Sequence, residues 1–229
     1  MSISVIMSVY NESLFINDSI SSILNQNFKN FEFLIIDDAS NDNTRAIIKK
    51  IMEVDKRIIL YENKTRKGLT KNLNFLIQNS KFDVIARMDA DDISHPDRLG
   101  AQYKFLERNP DYGFLGSAGF HIDSQGKIIK PIKWVLSENF LLKRKLKISN
   151  SFIHGSIMIK KHLLEKVELY DEGMTYAQDY DLWLRMMKLC KISNLKKNFF
   201  SVRIHDKTIS SLNSEKQFLF AGAAKYKNK

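Results

Sequence analysis

The chain has a single cysteine, Cys190, among its 229 residues. One thiol cannot close an intrachain disulfide, so a reducing compartment, the cytoplasm, is the expected home. Proline is held to three residues and glycine to nine, and neither an internal repeat nor a low-complexity linker is visible. No apolar run approaches the ~18 residues that span a bilayer. The opening Met1-Ser2-Ile3 lacks a basic leader, and the apolar run Ile3–Val9 is interrupted by Tyr10-Asn11-Glu12, so no signal peptide is read. Zinc-finger spacing and nucleic-acid signatures are missing too, which leaves the basic charge without a case for DNA or RNA.

What is present is enough apolar material for a real core, 44% of residues with 11% aromatic, in a length that suits one large domain or one domain with an appendage. Thirty-six Lys and Arg against 26 Asp and Glu leave +10. That surplus suits anionic partners such as nucleotide phosphates, acidic polymers or an anionic membrane surface.

Strand and helix patterns alternate through the first half. Ile3–Val9, Phe31–Ile36, Arg57–Tyr61 and Phe82–Met88 read as strands. Between and after them, Leu14 to Leu24, Ile47 to Met52, Leu69 to Ile77 and Leu99 to Leu106 carry apolar residues at helical spacing. This rhythm implies right-handed βαβ crossovers and a mostly parallel sheet flanked by helices, an α/β fold. After about residue 110 the rhythm changes. Tyr112–Ile122, Lys127–Ile129, Phe152–Ile159 and Phe199–Ile204 read as strands, Ser137–Lys147 as a basic amphipathic segment, and Leu182 to Leu189 as a helix.

The chemistry gathers where strands end. Val84–Met88 runs into Asp89, Asp91 and Asp92, three carboxylates within four positions. Such strand ends share one edge of an α/β sheet, where ligands bind. Like charges this close call for a counter-charge, and hard oxygens suit Mg²⁺ or Mn²⁺ with substrate phosphates in the shell. The plain alternative is an acidic, solvated cap. Phe31–Ile36 also ends in acids, Asp37-Asp38, one of them suited to capping a helix and the other to accepting a bond from an imide or a ribose hydroxyl. Arg66, Lys67 and Lys71 supply cations between the two acidic ends, or merely a solvated basic turn. Asp179 opens the last clear helix, where an aspartate is often only a cap. His154 before Gly155-Ser156, and His205 after the last strand, are open between structural and site roles.

Taken together, Ser4–Glu12 (SVIMSVYNE), Phe33–Thr44 (FLIIDDASNDNT), Arg87–Leu99 (RMDADDISHPDRL), His154–Met158 (HGSIM) and Gln178–Arg185 (QDYDLWLR) resemble, in order, the motifs of the family 2 inverting glycosyltransferases of GT-A fold. The resemblance implies a nucleotide-diphospho-sugar donor, commonly UDP-linked, and a hexosyl- or N-acetylhexosaminyl-type transfer that depends on Mn²⁺ or Mg²⁺. It implies a glycan or lipid-linked acceptor, in the synthesis of surface polysaccharide, lipopolysaccharide or glycoconjugate.

Position by position, the resemblance places Tyr10, Glu12, Asp38, Arg66, Lys71 and Asp89 at the nucleotide. It gives Asp89, Asp91 and His205 to the metal and Asp179 the role of general base. Asp92, His154 and Gln178 fall near the acceptor or donor sugar. Ser8 stands where the family often has proline, Lys71 where arginine is common, and Gln178 where glutamate is frequent. Residues 1–110 are then the nucleotide-sugar half, 111–205 the acceptor and catalytic-base half of the same domain, and 206–229 a C-terminal tail. A catalytically silent nucleotide-sugar or glycan-binding module is the alternative. The lysines beside Phe140 to Leu146, echoed around Phe218–Phe220, suit either peripheral contact with the inner face of a membrane or a core-facing helix with a solvated basic side.

Overall fold

The computed structural model describes residues 2–133, 135–205 and 214–228. Strand β1 (Ile3–Val9) and strand β2 (Phe31–Asp37) are apolar almost throughout because both of their faces are covered. Ile6, Leu34 and Ile36 point into one hydrophobic cluster, while Val5, Met7, Phe33 and Ile35 point into a second on the other face. Helices α1 (Ile16–Leu24), α2 (Thr44–Val54), α3 (Leu69–Asn79) and α4 (Arg98–Arg108) alternate with β3 (Ile58–Glu62), β4 (Val84–Arg87) and the short β5 (Ile93–Ser94).

The second half supplies β6 (Tyr112–Ile122), β7 (Ile128–Pro131), α5 (Asn139–Leu146), a 3₁₀ turn at His154–Ser156, β8 (Met158–Lys160) and α6 (Lys161–Lys166). It ends with α7 (Gln178–Met186), β9 (Lys191–Arg203) and α8 (Ser214–Lys227). One nine-stranded sheet runs in the order β3-β2-β1-β4-β8-β6-β9-β5, with β7 on β6. The β3-β2-β1-β4 block is parallel, as is β6 with β9, while β8 is antiparallel to both β4 and β6. The mostly parallel α/β sheet expected from the strand–helix rhythm is therefore present, and one sheet joins both halves.

Some elements differ from their sequence pattern. The run Phe152–Ile159 is not one strand. The Ser156 N–H and hydroxyl both donate to Ile153 O, at 3.0 and 2.9 Å, which closes a tight turn before β8 begins. The last strand is thirteen residues long rather than the short Phe199–Ile204. Its first half hides polar residues: Ser193 Oγ donates to Ser137 O at 2.7 Å, and Asn194 Nδ2 to Leu136 O at 2.9 Å. The expected tail lies outside the described residues from 206 to 213, and beyond them it is the helix α8. Ala224 is fully buried there, and Phe220 packs against the same core that holds the wholly buried Trp183 of α7.

Candidate active site

Parallel pairing sets Val9 opposite Asp37 and Ile6 opposite Arg87, so the C-terminal ends of β1, β2 and β4 open on one edge. The backbone turns sharply there. Asn11 and Ala39 both take left-handed conformations, at φ 55 and 63. Asp38 is buried, with Oδ1 accepting from the Lys67 N–H and Asn63 Nδ2, both at 2.8 Å, and Oδ2 from the Gly68 N–H at 2.9 Å. Burial works against its ionisation, but these donors outweigh burial and hold the carboxyl below its usual range. Asp38 thereby fixes the 63–68 turn, and that turn lays the Arg66 guanidinium over the Tyr10 ring, 4.0 Å from its centre. The 63–68 turn thus links Asp38 to the Arg66–Tyr10 stack.

Ser8 also belongs to this group. Its hydroxyl accepts from Asn72 Nδ2 at 3.0 Å, Asn72 Oδ1 accepts from Asn63 at 2.8 Å, and Asn63 reaches Asp38. A proline at position 8 has no such hydroxyl. Lys71 is exposed on α3 and lines a cavity of about 790 Å³ that adjoins this network. The described lining includes Asn63, Asn72 and Tyr170, but not Asp89, Asp91 or Asp179. Glu12 lies in the turn after β1, its N–H donating to Thr44 Oγ1 at 2.8 Å.

The acid cluster is more differentiated than its sequence suggests. Asp89 is paired with the buried Arg87 through Oδ2 and Nη1. The Asp91 carboxylate meets His205 Nε2 at 3.0 Å. Burial and then the Asp89 charge push the Asp91 carboxyl up, His205 acting the other way. Asp92 is buried and accepts the Arg203 N–H at 2.8 Å, and its carboxyl is pushed well above its ordinary value by burial and by its two acidic neighbours. It ties β9 to the acidic loop.

Arg203 completes that tie with its buried side chain, donating from Nε to Asp91 O at 2.8 Å and from Nη1 to Ser124 O at 2.9 Å. Arg98, likewise buried, donates to Gly155 O at 2.7 Å and Arg87 O at 3.1 Å, and burial pulls its guanidinium down to about 9.

Asp179 sits in the first turn of α7, after Ala177 in a left-handed conformation at φ 53 that is unusual for alanine. Its Oδ2 accepts Asn150 Nδ2 at 2.6 Å. Burial raises the Asp179 carboxyl, while bonds from the Tyr180 amide and Asn150, and the charge of Arg87, pull against that rise. Gln178 opens the same helix. His154 Nε2 is hydrogen-bonded with the Tyr170 hydroxyl at 2.8 Å, and its ring packs edge-on to Trp183. Burial, helped by the Arg87 charge, drives the imidazole well below its ordinary value and so favours its neutral form. Arg87 is thus the shared neighbour of Asp89 on one side and of Asp179, His154 and Tyr170 on the other.

A divalent cation suits the chemistry of Asp89, Asp91 and His205: hard carboxylate oxygens, an imidazole already beside one of them, and a local excess of negative charge that raises Asp91. Among the described residues no three His, Cys, Asp or Glu side chains form a ready cage. Mg²⁺-type sites commonly use one or two carboxylates and leave the rest of the shell to water and substrate phosphates. Asn63, Asn72, Arg98, Asn150 and Arg203 were not singled out from sequence. Each anchors a loop from a distant part of the chain, and no local pattern marks such a residue.

The glycosyl transferase family 2 profile matches residues 4–167. An uncharacterized glycosyltransferase of Methanocaldococcus jannaschii is 37% identical over 188 residues, 80% of this chain and 63% of that protein. The O-antigen biosynthesis glycosyltransferase WbnJ of Escherichia coli is 34% identical over 212 residues, 90% of this chain and 81% of that protein. Among solved structures, S. aureus TarS in complex with UDP-GlcNAc superposes with a TM-score of 0.80 at 18% identity, over 98% of this chain and 66% of that one. The mannosyltransferase PcManGT from Pyrobaculum calidifontis, in complex with GDP-Man and Mn²⁺, gives 0.76 at 17%, over 98% and 64%. At those identities the likeness establishes the GT-A architecture alone. The chain spans under two thirds of the Methanocaldococcus relative and of the Pyrobaculum enzyme.

Proposed function

The chain belongs to glycosyl transferase family 2, and from that membership we propose that it moves a sugar, with inversion, from a nucleoside-diphosphate donor to a hydroxyl of a glycan or lipid-linked acceptor. The observation that carries this reading is the Arg87 guanidinium, paired with Asp89 and electrostatically coupled to Asp179. It links the strand-end acids of the first half to the helix-borne acid of the second.

In this reading the Tyr10 ring, Arg66 and Asp38 receive the base, with Glu12 and Lys71 at the edge of the nucleotide site. A UDP-linked hexose or N-acetylhexosamine is the favoured donor, by analogy with the UDP-GlcNAc of the TarS complex. Asp89, Asp91 and His205 hold Mn²⁺ or Mg²⁺, as the Mn²⁺ of the PcManGT complex suggests. Such an ion, when bound, supplies positive charge for the departing diphosphate.

Asp179 takes the proton from the attacking hydroxyl. Its raised carboxyl suits a general base better than an ordinary aspartate, since a base works best with a pKa nearer the working pH. Asn150 aims it, and Gln178 and His154 border the acceptor. One base suffices for a single in-line displacement, in contrast to the carboxylate pair of a glycosidase. The name of WbnJ favours surface polysaccharide or glycoconjugate synthesis as the setting, and the single cysteine favours the cytoplasmic side.

The test is a panel of nucleotide-sugars incubated with the chain and Mn²⁺, read as released nucleoside diphosphate. Release from one donor that stops on EDTA treatment supports the assignment. Donor binding without release from any donor and acceptor pair would leave a silent binding module.

A further inference from the structure

We propose that the outer faces of α5 and α8 form one docking surface for a bilayer that carries anionic headgroups. Both helices pack on α7 and are joined at their ends, where Lys225 Nζ donates to Ile148 O at 3.5 Å. Each sends a stripe inward: Leu142 and Leu146 from α5, and Phe220, Ala221 and Ala224 from α8. Large apolar side chains remain outside. Phe140, Leu141 and Ile148 are exposed at α5, and Phe218, Leu219 and Tyr226 on α8, each between 40% and 81%. Apolar groups grouped in this way mark an interaction site rather than ordinary surface.

Charge decides what kind of site it is. Lys143, Arg144, Lys145 and Lys147 lie on α5 and just beyond it, with Glu138 before the helix; α8 carries Lys216, Lys225 and Lys227 against Glu215, Lys227 being paired with Asp171. Aromatic side chains suit the headgroup level of a membrane, and lysine and arginine beside them are drawn to anionic headgroups. A second copy of the chain would set this basic face against itself, so charge disfavours self-association through it. No helix among the described residues is long and apolar enough to cross a membrane.

The surface also borders the candidate site. Phe220 of α8 packs edge-on to Tyr176 with ring centres 5.6 Å apart, just before Asp179, and Asn150, which bonds Asp179, follows the end of α5. A chain docked this way would hold its acceptor pocket beside the bilayer, which favours a lipid-linked hydroxyl. That last point rests on the transfer reading, whereas the docking does not.

Co-sedimentation of the whole chain with phosphatidylcholine vesicles, with and without phosphatidylglycerol, tests the proposal in the absence of any donor. Binding is expected only with phosphatidylglycerol present, weakening steeply at about 0.5 M salt. Each basic residue lost should weaken partitioning roughly fivefold, so K143E/R144E/K145E should lose about a hundredfold or more. F218S/L219S should weaken it as well. Arg144, Lys145, Phe218 and Leu219 are exposed and Lys143 is half-buried, outside the buried core, so thermal unfolding of both variants should match the native chain. Equal partitioning onto neutral and anionic vesicles, undiminished binding by the charge variant, or sedimentation only as a self-associated species would overturn it. Nucleoside diphosphate release, assayed separately without vesicles, keeps a failure of docking distinct from a failure of the transfer reading.

Discussion

Gly155 has no room for a methyl group. A Cβ at that position would lie 2.6 Å from Asp89 Oδ2 and 2.5 Å from the Phe200 ring. Gly155→Ala should therefore displace Asp89, lowering kcat at least about tenfold, with about 1–3 kcal/mol of destabilisation seen in chemical unfolding. A wild-type kcat would mean that the Asp89 position is unimportant. Asp91 carries the metal assignment. Its carboxyl is raised by burial and by Asp89, so the ionised form disfavours folding, and stability falls as pH rises through that raised value. Asp91→Asn should then melt no lower than the native chain in metal-free buffer at pH 7. Mn²⁺ should raise the Tm of the native chain and leave the variant unmoved. Equal shifts in both would remove Asp91 from the metal.

Asp179 must be ionised to accept a proton, so turnover should rise with pH along a limb that lies above the ordinary carboxylate value of about 4. The Asn150 amide donates to the ionised form. Asn150→Ala should move that limb to still higher pH, and a pH–rate profile with an unmoved limb would separate Asn150 from the base.

At the scale of elements, β6 and β9 place one side of the site. A Cβ on Gly119 of β6 would lie 2.3 Å from Phe200 O in the paired β9 backbone. Gly119→Ala must shift β9, and Arg203 and His205 move with it. Transfer should fall while Asp38 and the Tyr10–Arg66 stack, on the far strands, stay in place, so nucleotide quenching of tyrosine fluorescence should survive. Loss of both together would show that the sheet responds as one unit. Helix α8 is fixed to α7 by Ala224 in the core and by Asn228 Nδ2 donating to Asp181 Oδ1 at 2.9 Å. Ala224→Leu should cost about 1–3 kcal/mol in denaturant unfolding through overpacking. A neutral substitution would place α8 outside the cooperative core.

Over the whole molecule, legibility followed locality. β1 and β2 were readable because both faces are buried, which writes a continuous apolar run, and the acids at strand ends stood out against it. Tyr10, Asp38 and Arg66 were readable because each lies at the end of such a run or in the turn that follows. The anchors were not: Arg203 meets Asp92 across 111 positions, and nothing near either residue announces the other. The first half of β9 escaped because Ile192 is its one wholly apolar buried residue; the next two inward residues, Ser193 and Asn194, pair with loop carbonyls rather than with apolar groups. Asp92 looked like its acidic neighbours and turned out to be buried against β9, since burial depends on what packs over a loop and not on its composition.

Two halves of one sheet meet at Arg87, and the central claim is that they form a transferase site with Asp179 as its base. The direct measurement pairs calorimetric donor binding with single-turnover nucleoside diphosphate release for the native chain and Asp179→Asn. Donor affinity should remain within about threefold while release falls by about 10²–10⁴, the usual contribution of a general base. An Asp179→Asn chain that turns over at the native rate, or one that stays folded but no longer binds donor, would contradict it.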